Sequence, residues 1–218
     1  MVFSFFRGGD EGLEHVQHEI VSMVGRCQHS FDLAMSCLVT DGDIERIGEE
    51  VRATDWAING IEESVRRELV VHSAVHGGAD VGAVLASLLM VKKLERVGDQ
   101  AKNIFDLAAE GVRFSEADDY ERFLDFRSQV SQLYADTADA LAEPDTADVD
   151  GLGERAEALM TTFDGLVNAL IHADAPARYA VPRAMLFRYL KRICANLTSV
   201  ATTAATGIDR TGDVDLDE

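Results

Sequence analysis

The chain has 218 residues, with 39 Asp and Glu against 20 Lys and Arg and a net charge of −19. That balance excludes nucleic-acid binding through a broad basic face and disfavours adsorption to anionic lipid. A hydrophobic share of 47% is enough to bury a core without disulfide or metal staples.

Met1 to Phe6 is apolar but too short for the core of a signal peptide, and Gly8-Gly9-Asp10 follows it. Leu13, Val16, Ile20, Met23, Val24 and Cys27 then recur at helical spacing. Phe31, Leu33, Met35 and Leu38 carry that first helix to Thr40. Asp41-Gly42-Asp43 reads as a turn. Ile44, Ile47, Val51, Ile58, Ile61, Val65, Leu69 and Val71 mark a second long helix that ends at His76-Gly77-Gly78. Ala79-Asp80 opens a third, which runs through Leu94, Val97 and Ile104 to Ala109, with Gly111 closing it.

A fourth helix is expected from Glu116 or Asp118 through Phe123, Phe126, Val130 and Leu133 to Leu141. Glu143 to Gly153, which contains Pro144, reads as an acidic loop. A fifth helix is expected from about Glu154 to Ile171. Ala173 to Pro182 reads as a connector, because Pro176 and Pro182 punctuate it. A sixth runs from about Arg183 to Thr206, with Gly207 closing it, and Asp209 to Glu218 reads as a disordered acidic tail. No strand-like alternation occurs. The longest apolar run, Val81 to Val91, falls well short of the ~20 residues that span a bilayer. A soluble cytoplasmic protein without membrane insertion is expected.

Helices three and six resemble each other. At an offset of 96 residues Leu94 meets Leu190, Arg96 meets Arg192, Val97 meets Ile193, Ile104 meets Val200, Ala108 meets Ala204 and Gly111 meets Gly207. The expected fold is therefore all-α, two tandem pseudo-symmetric three-helix bundles, with repeats over residues 1–111 and 112–208 and a tail over 209–218.

Cys27, Cys37 and Cys194 have no paired spacing and read as small buried side chains in a reducing compartment. The acidic bias and the four lysines, Lys92, Lys93, Lys102 and Lys191, fit a halophile or a GC-rich genome equally. Glu95, Asp99 and Asn103 lie at i, i+4 and i+8, which stacks three oxygen-bearing side chains on one helical stripe. Such a stripe is either a solvated acidic face or a place for a cation that takes carboxylate oxygens. Gly98 inside the same helix points to close approach of a neighbouring helix or ligand. His72 and His76, with Glu68 one turn earlier, have zinc-compatible spacing, although histidines at an exposed helix end also suit the C-terminal dipole. Trp56 reads as core or inter-bundle packing. No phosphate-binding glycine loop, Ser-His-Asp set or Glu-x-x-His di-iron motif appears.

The run Leu94-Glu95-Arg96-Val97-Gly98-Asp99-Gln100-Ala101-Lys102-Asn103-Ile104 resembles the signature of the PhoU family. Asp55-Trp56-Ala57-Ile58-Asn59-Gly60-Ile61-Glu62 is similar to that family's second helix, and Asp80 falls where the family has an aspartate opening the third. The resemblance implies a pair of three-helix bundles and a non-enzymatic regulator of phosphate transport and phosphate-responsive signalling. It implies metal binding at Glu/Asp-x-x-x-Asp motifs, with Glu95 and Asp99 the foremost ligands, Asp55 a weaker one and Asn103 on the same stripe. The metal would be Fe, Zn, Mn or Mg. The implied partners are a cytoplasmic phosphate-transporter subunit or a sensor kinase, and a second copy of the chain is a further candidate. In the second repeat Lys191, Ala195 and Ser199 stand where Glu95, Asp99 and Asn103 stand in the first, so no metal site of the family type is expected there. The alternatives are a metal-dependent carboxylate-bundle enzyme and a purely structural helical adaptor.

Overall fold

The computed structural model describes residues 11–40, 42–76, 78 and 80–206. The apolar start, Asp41, Gly77, Ala79, Gly207 and the acidic tail lie outside the described residues. Those residues form six helices and no strand: α1 (Glu11–Val39), α2 (Ile44–His76), α3 (Val81–Ala109), α4 (Tyr120–Ala142), α5 (Val149–His172) and α6 (Ala177–Thr206).

The apolar spacing explains the packing. On α2 the buried positions Ile47, Val51, Ile58, Val65, Leu69 and His72 recur at steps of three, four and seven, so one stripe faces inward. On α3 burial extends round most of the helix, because α1, α2 and α6 all pack on it. α6 is likewise met by α3, α4 and α5, and α4 also packs on α1. The repeat-matched pairs Leu94 and Leu190, Val97 and Ile193, and Ile104 and Val200 are all fully buried. The repeat pattern is thus the pattern of the two central helices, and the two bundles share one continuous hydrophobic core.

Three boundaries depart from the sequence reading. α5 begins at Val149, five residues before Glu154, because the Asp148 side chain accepts a hydrogen bond from Gly151 N at 3.0 Å and caps the helix inside the expected loop. α6 begins at Ala177, and Pro182 lies inside it. Pro182 lacks only its own N–H, while Pro176 O accepts from the N–H groups of Tyr179 at 2.8 Å and Ala180 at 3.1 Å and starts the helix ahead of it. α4 begins at Tyr120. Asp119, at its N-cap, makes no capping bond, and its carboxylate is held by Arg183 of α6 at 3.0 Å.

Gly111 ends α3 as expected, with φ +86. Gly111 N donates to Ala108 O at 3.0 Å and Val112 N donates to Leu107 O at 3.1 Å. These are the two bonds of a Schellman motif, which a left-handed glycine completes without steric cost. The chain then crosses to the second bundle, fastened by Phe114 N donating to Leu38 O at 2.7 Å.

All three cysteines are free and buried. Cys27 donates to Leu94 O at 3.4 Å. Burial raises its thiol far above the ordinary range, and burial pushes the Cys194 thiol up to about 12 from an ordinary 9.0. The sign of the consequence is fixed. Above pH 9 the unfolded chain releases thiol protons that the folded chain retains, so stability falls as pH rises. Each of these two thiols should cost about 1.4 kcal/mol per pH unit above ~9. Melting temperatures measured from pH 8 to pH 11 should fall progressively, and a Cys27→Ala, Cys194→Ala variant should show a shallower slope.

The surface is laced with local pairs such as Arg66–Glu62 at 3.2 Å and Arg67–Glu63 at 2.8 Å. The carboxylates still greatly outnumber the cations, so repulsion remains for salt to screen. The melting temperature should rise between low and molar KCl, and a flat or falling series would remove the halophile reading.

Candidate functional site

The acidic stripe of α3 faces α2. Gly98 lets the two helices meet: a Cβ at that position would lie 3.0 Å from Ile58 Cδ1 and 3.9 Å from Cys27 Sγ. Close approach of a neighbouring helix is thus the use of this glycine, and Ile58 of α2 is what approaches. One carboxylate pair sits on each side of this contact, Asp55 with Asp99 and Glu62 with Glu95.

Each pair encloses a lysine. Lys102 Nζ donates to Asp55 Oδ2 at 3.3 Å and to Asp99 Oδ1 at 3.3 Å. Lys92 Nζ donates to Glu95 Oε2 at 2.8 Å and lies 3.7 Å from Glu62 Oε1. Asp55, Glu62 and Glu95 are largely covered, with side chains 13%, 14% and 16% exposed, so the ammonium groups neutralise charge that water reaches poorly. The hydrogen bond to Glu95 holds Lys92 above its ordinary pKa. Burial works against the charge of Lys102, but the Asp55 and Asp99 carboxylates outweigh it and raise that pKa as well. Asn103 lies one turn beyond Asp99, partly exposed.

Glu95 and Asp99 thus both reach the α2 side of α3, where Lys92 and Lys102 link them to Glu62 and Asp55. Sequence reasoning missed Lys92 and Lys102 as the partners of these carboxylates and Glu62 as the fourth of them. The signal was present in part: Lys92 is three residues before Glu95 and Lys102 three after Asp99. The reach across to α2 was not legible.

The resemblance places a metal here. A hard cation collects about six oxygen ligands. These helices offer two carboxylates at each point, with an ammonium already between them. Among the described residues no three His, Cys, Asp or Glu side chains are grouped to hold a metal ion. The donor set does not fit a resident metal.

In the second repeat the seam is built differently. Lys191 Nζ, at the position equivalent to Glu95, donates directly to Asp164 Oδ2 of α5 at 2.6 Å, and Arg188 lies 3.8 Å from the same carboxylate.

The histidine reading resolves otherwise. His72 is buried rather than exposed at a helix end. Its Nε2 pairs with Asp80 Oδ2 at 3.1 Å, across the α2–α3 turn, and its ring stacks on His76 at 4.4 Å. Glu68 instead faces His15 at 3.7 Å and accepts from Ser64 at 3.2 Å. His72 and Glu68 have different partners, and Asp80 acts as a clasp on the turn. Trp56 is 80% exposed, packed neither in the core nor between the bundles. It follows Asp55 on α2, so turning Asp55 toward α3 turns Trp56 outward. The other exposed large apolar side chains gather at two hairpins: Val70, Val71, Val75, Val81 and Leu85 around the α2–α3 turn, and Ile171, Tyr179, Val181 and Met185 around the α5–α6 turn. No helix of the described residues is long and apolar enough to cross a membrane.

No curated protein matches the sequence. The crystal structure of PhoU from Pseudomonas aeruginosa is similar in fold, with a TM-score of 0.76 at 22% identity over 88% of this chain and 95% of that one. Residues 20–108 match the family model described as the PhoU domain. That stretch contains both halves of the α2–α3 seam, Asp55 and Glu62 on one side and Glu95 and Asp99 on the other. Residues 20–108 of this chain are thus similar to the PhoU domain, and most of the chain shares the fold of that PhoU structure.

Proposed function

We propose that this chain is a non-enzymatic regulator of phosphate transport and phosphate-responsive signalling, acting in the cytoplasm by docking on protein partners. The observation that carries the reading is the similarity of residues 20–108 to the PhoU domain. The expected partners are the cytoplasmic subunit of a phosphate transporter and the cytoplasmic part of a sensor kinase. The surface suits docking better than chemistry. The carboxylates that an enzyme of the carboxylate-bundle type would direct at an open metal position are here held by lysines. Trp56 and the apolar hairpin ends are exposed, and aromatic side chains of this kind dominate interface energetics.

The test is direct binding of the purified chain to the purified transporter ATPase subunit and to the kinase cytoplasmic region. Binding to at least one is expected at a Kd of about 10 μM or tighter, in the range of specific regulatory contacts. Trp56→Ser should weaken it ~10-fold or more while leaving the melting temperature unchanged, because the ring is out in solvent. Absence of binding to both would overturn the reading.

A further inference from the structure

We infer that Lys92 and Lys102 are the resident cations of the α2–α3 acidic seam, so that this chain closes the seam with its own side chains instead of an external metal. Three observations carry the inference. Lys102 bridges Asp55 and Asp99, one on each helix, at 3.3 Å to both. Lys92 does the same for Glu62 and Glu95, at 3.7 and 2.8 Å. The second repeat, whose stripe has lost the carboxylates, puts Lys191 of α6 on Asp164 of α5 at 2.6 Å. In both halves a lysine on the central helix thus ties it to a neighbouring helix, from different positions: Lys191 is equivalent to Glu95, not to Lys92 or Lys102.

The chemistry favours an internal cation at these points. Like-charged carboxylates facing each other across two helices repel, and partial burial weakens the screening by water. A bridging positive charge turns that repulsion into attraction. A metal ion would do so only after displacing a lysine that is covalently held within a few ångströms, and the displaced ammonium would then face the incoming cation. The seam therefore works as a helix–helix fastener that does not depend on metal supply. In a cytoplasm of high ionic strength such partly buried pairs are screened less than exposed ones.

The experiment uses the full chain, stripped with a chelator, soaked in Mn²⁺ and desalted, with metal content and melting temperature read together. Ionic strength is matched with KCl. The wild type should retain Mn²⁺ well below one ion per chain, and neither Mn²⁺ nor EDTA should move its melting temperature. Lys102→Met, similar in length but uncharged, should melt several degrees lower. Lys102→Arg should stay near the wild type, since it keeps the cation. Stoichiometric Mn²⁺ in the wild type that disappears in an Asp55→Asn, Asp99→Asn variant would overturn the inference. So would a Lys102→Met protein as stable as the wild type, or an arginine variant that loses as much as methionine. If Lys102→Met does not fold, a folded Lys102→Arg supports the inference and an unfolded one contradicts it.

Discussion

Replacing Arg183 with methionine is expected to cost about 3 kcal/mol of folding stability, as removal of one partner from a buried ion pair does. Arg183 is 8% exposed and reaches from α6 to the start of α4, where Nη2 donates to Asp119 Oδ1 at 3.0 Å. Its guanidinium also lies 3.8 Å from the centre of the Tyr179 ring, 5.0 Å from that of Phe114 and 5.5 Å from that of Phe123. Those rings belong to α6, to the crossing segment between the bundles and to α4. One side chain therefore holds three pieces of chain together where the first repeat hands over to the second. Methionine fills much of the volume but leaves Asp119 with only the more distant Arg122, at 3.9 Å, and the rings without the cation–π contact. Urea unfolding of wild type and variant measures the loss, and a difference below about 1 kcal/mol would mean that Arg183 is a passive filler.

The second large effect lies next to it. Phe187→Ala should cost about 3–5 kcal/mol, the range for emptying a buried aromatic site. Phe187 of α6 is 2% exposed. Its ring centre is 6.2 Å from Phe123, 6.0 Å from Phe126 and 6.2 Å from Phe163, so all three helices of the second bundle converge on it. The rings are too rigid to collapse into the space left behind. Phe187→Leu should recover much of the loss. Unfolding measurements on the pair would show the ordering, and equal stability of the alanine and leucine variants would contradict it.

The helices and their order were legible because burial follows helical periodicity almost everywhere: Leu13, Val16, Ile20, Met23 and Cys27 were marked from spacing, and all are buried. Where the structure departs from that periodicity the causes are local. Pro182 suggested a break, yet a proline in the second turn of a helix removes only one bond, and Pro176 had already started that helix. Asp148 falls in an expected loop because a single aspartate does not announce whether it will cap. Size suggests core or inter-bundle packing for Trp56, but its position beside Asp55 decides otherwise. At the seam, Glu95 and Asp99 could be read from their spacing and Asp55 from a resemblance. Lys92 and Lys102 were visible as neighbours on the same helix. That each also reaches a carboxylate on α2 depends on the register of two helices, which Gly98 and Ile58 set by contact and which no spacing within one helix encodes.

The proposed regulation of phosphate uptake and signalling is measured most directly in the source cell. With the gene deleted, phosphate uptake and a phosphate-responsive reporter should no longer change between phosphate-poor and phosphate-rich medium, and a plasmid copy of the wild-type gene should restore the response. A deletion strain whose uptake and reporter still follow external phosphate as the parent's do would contradict the claim.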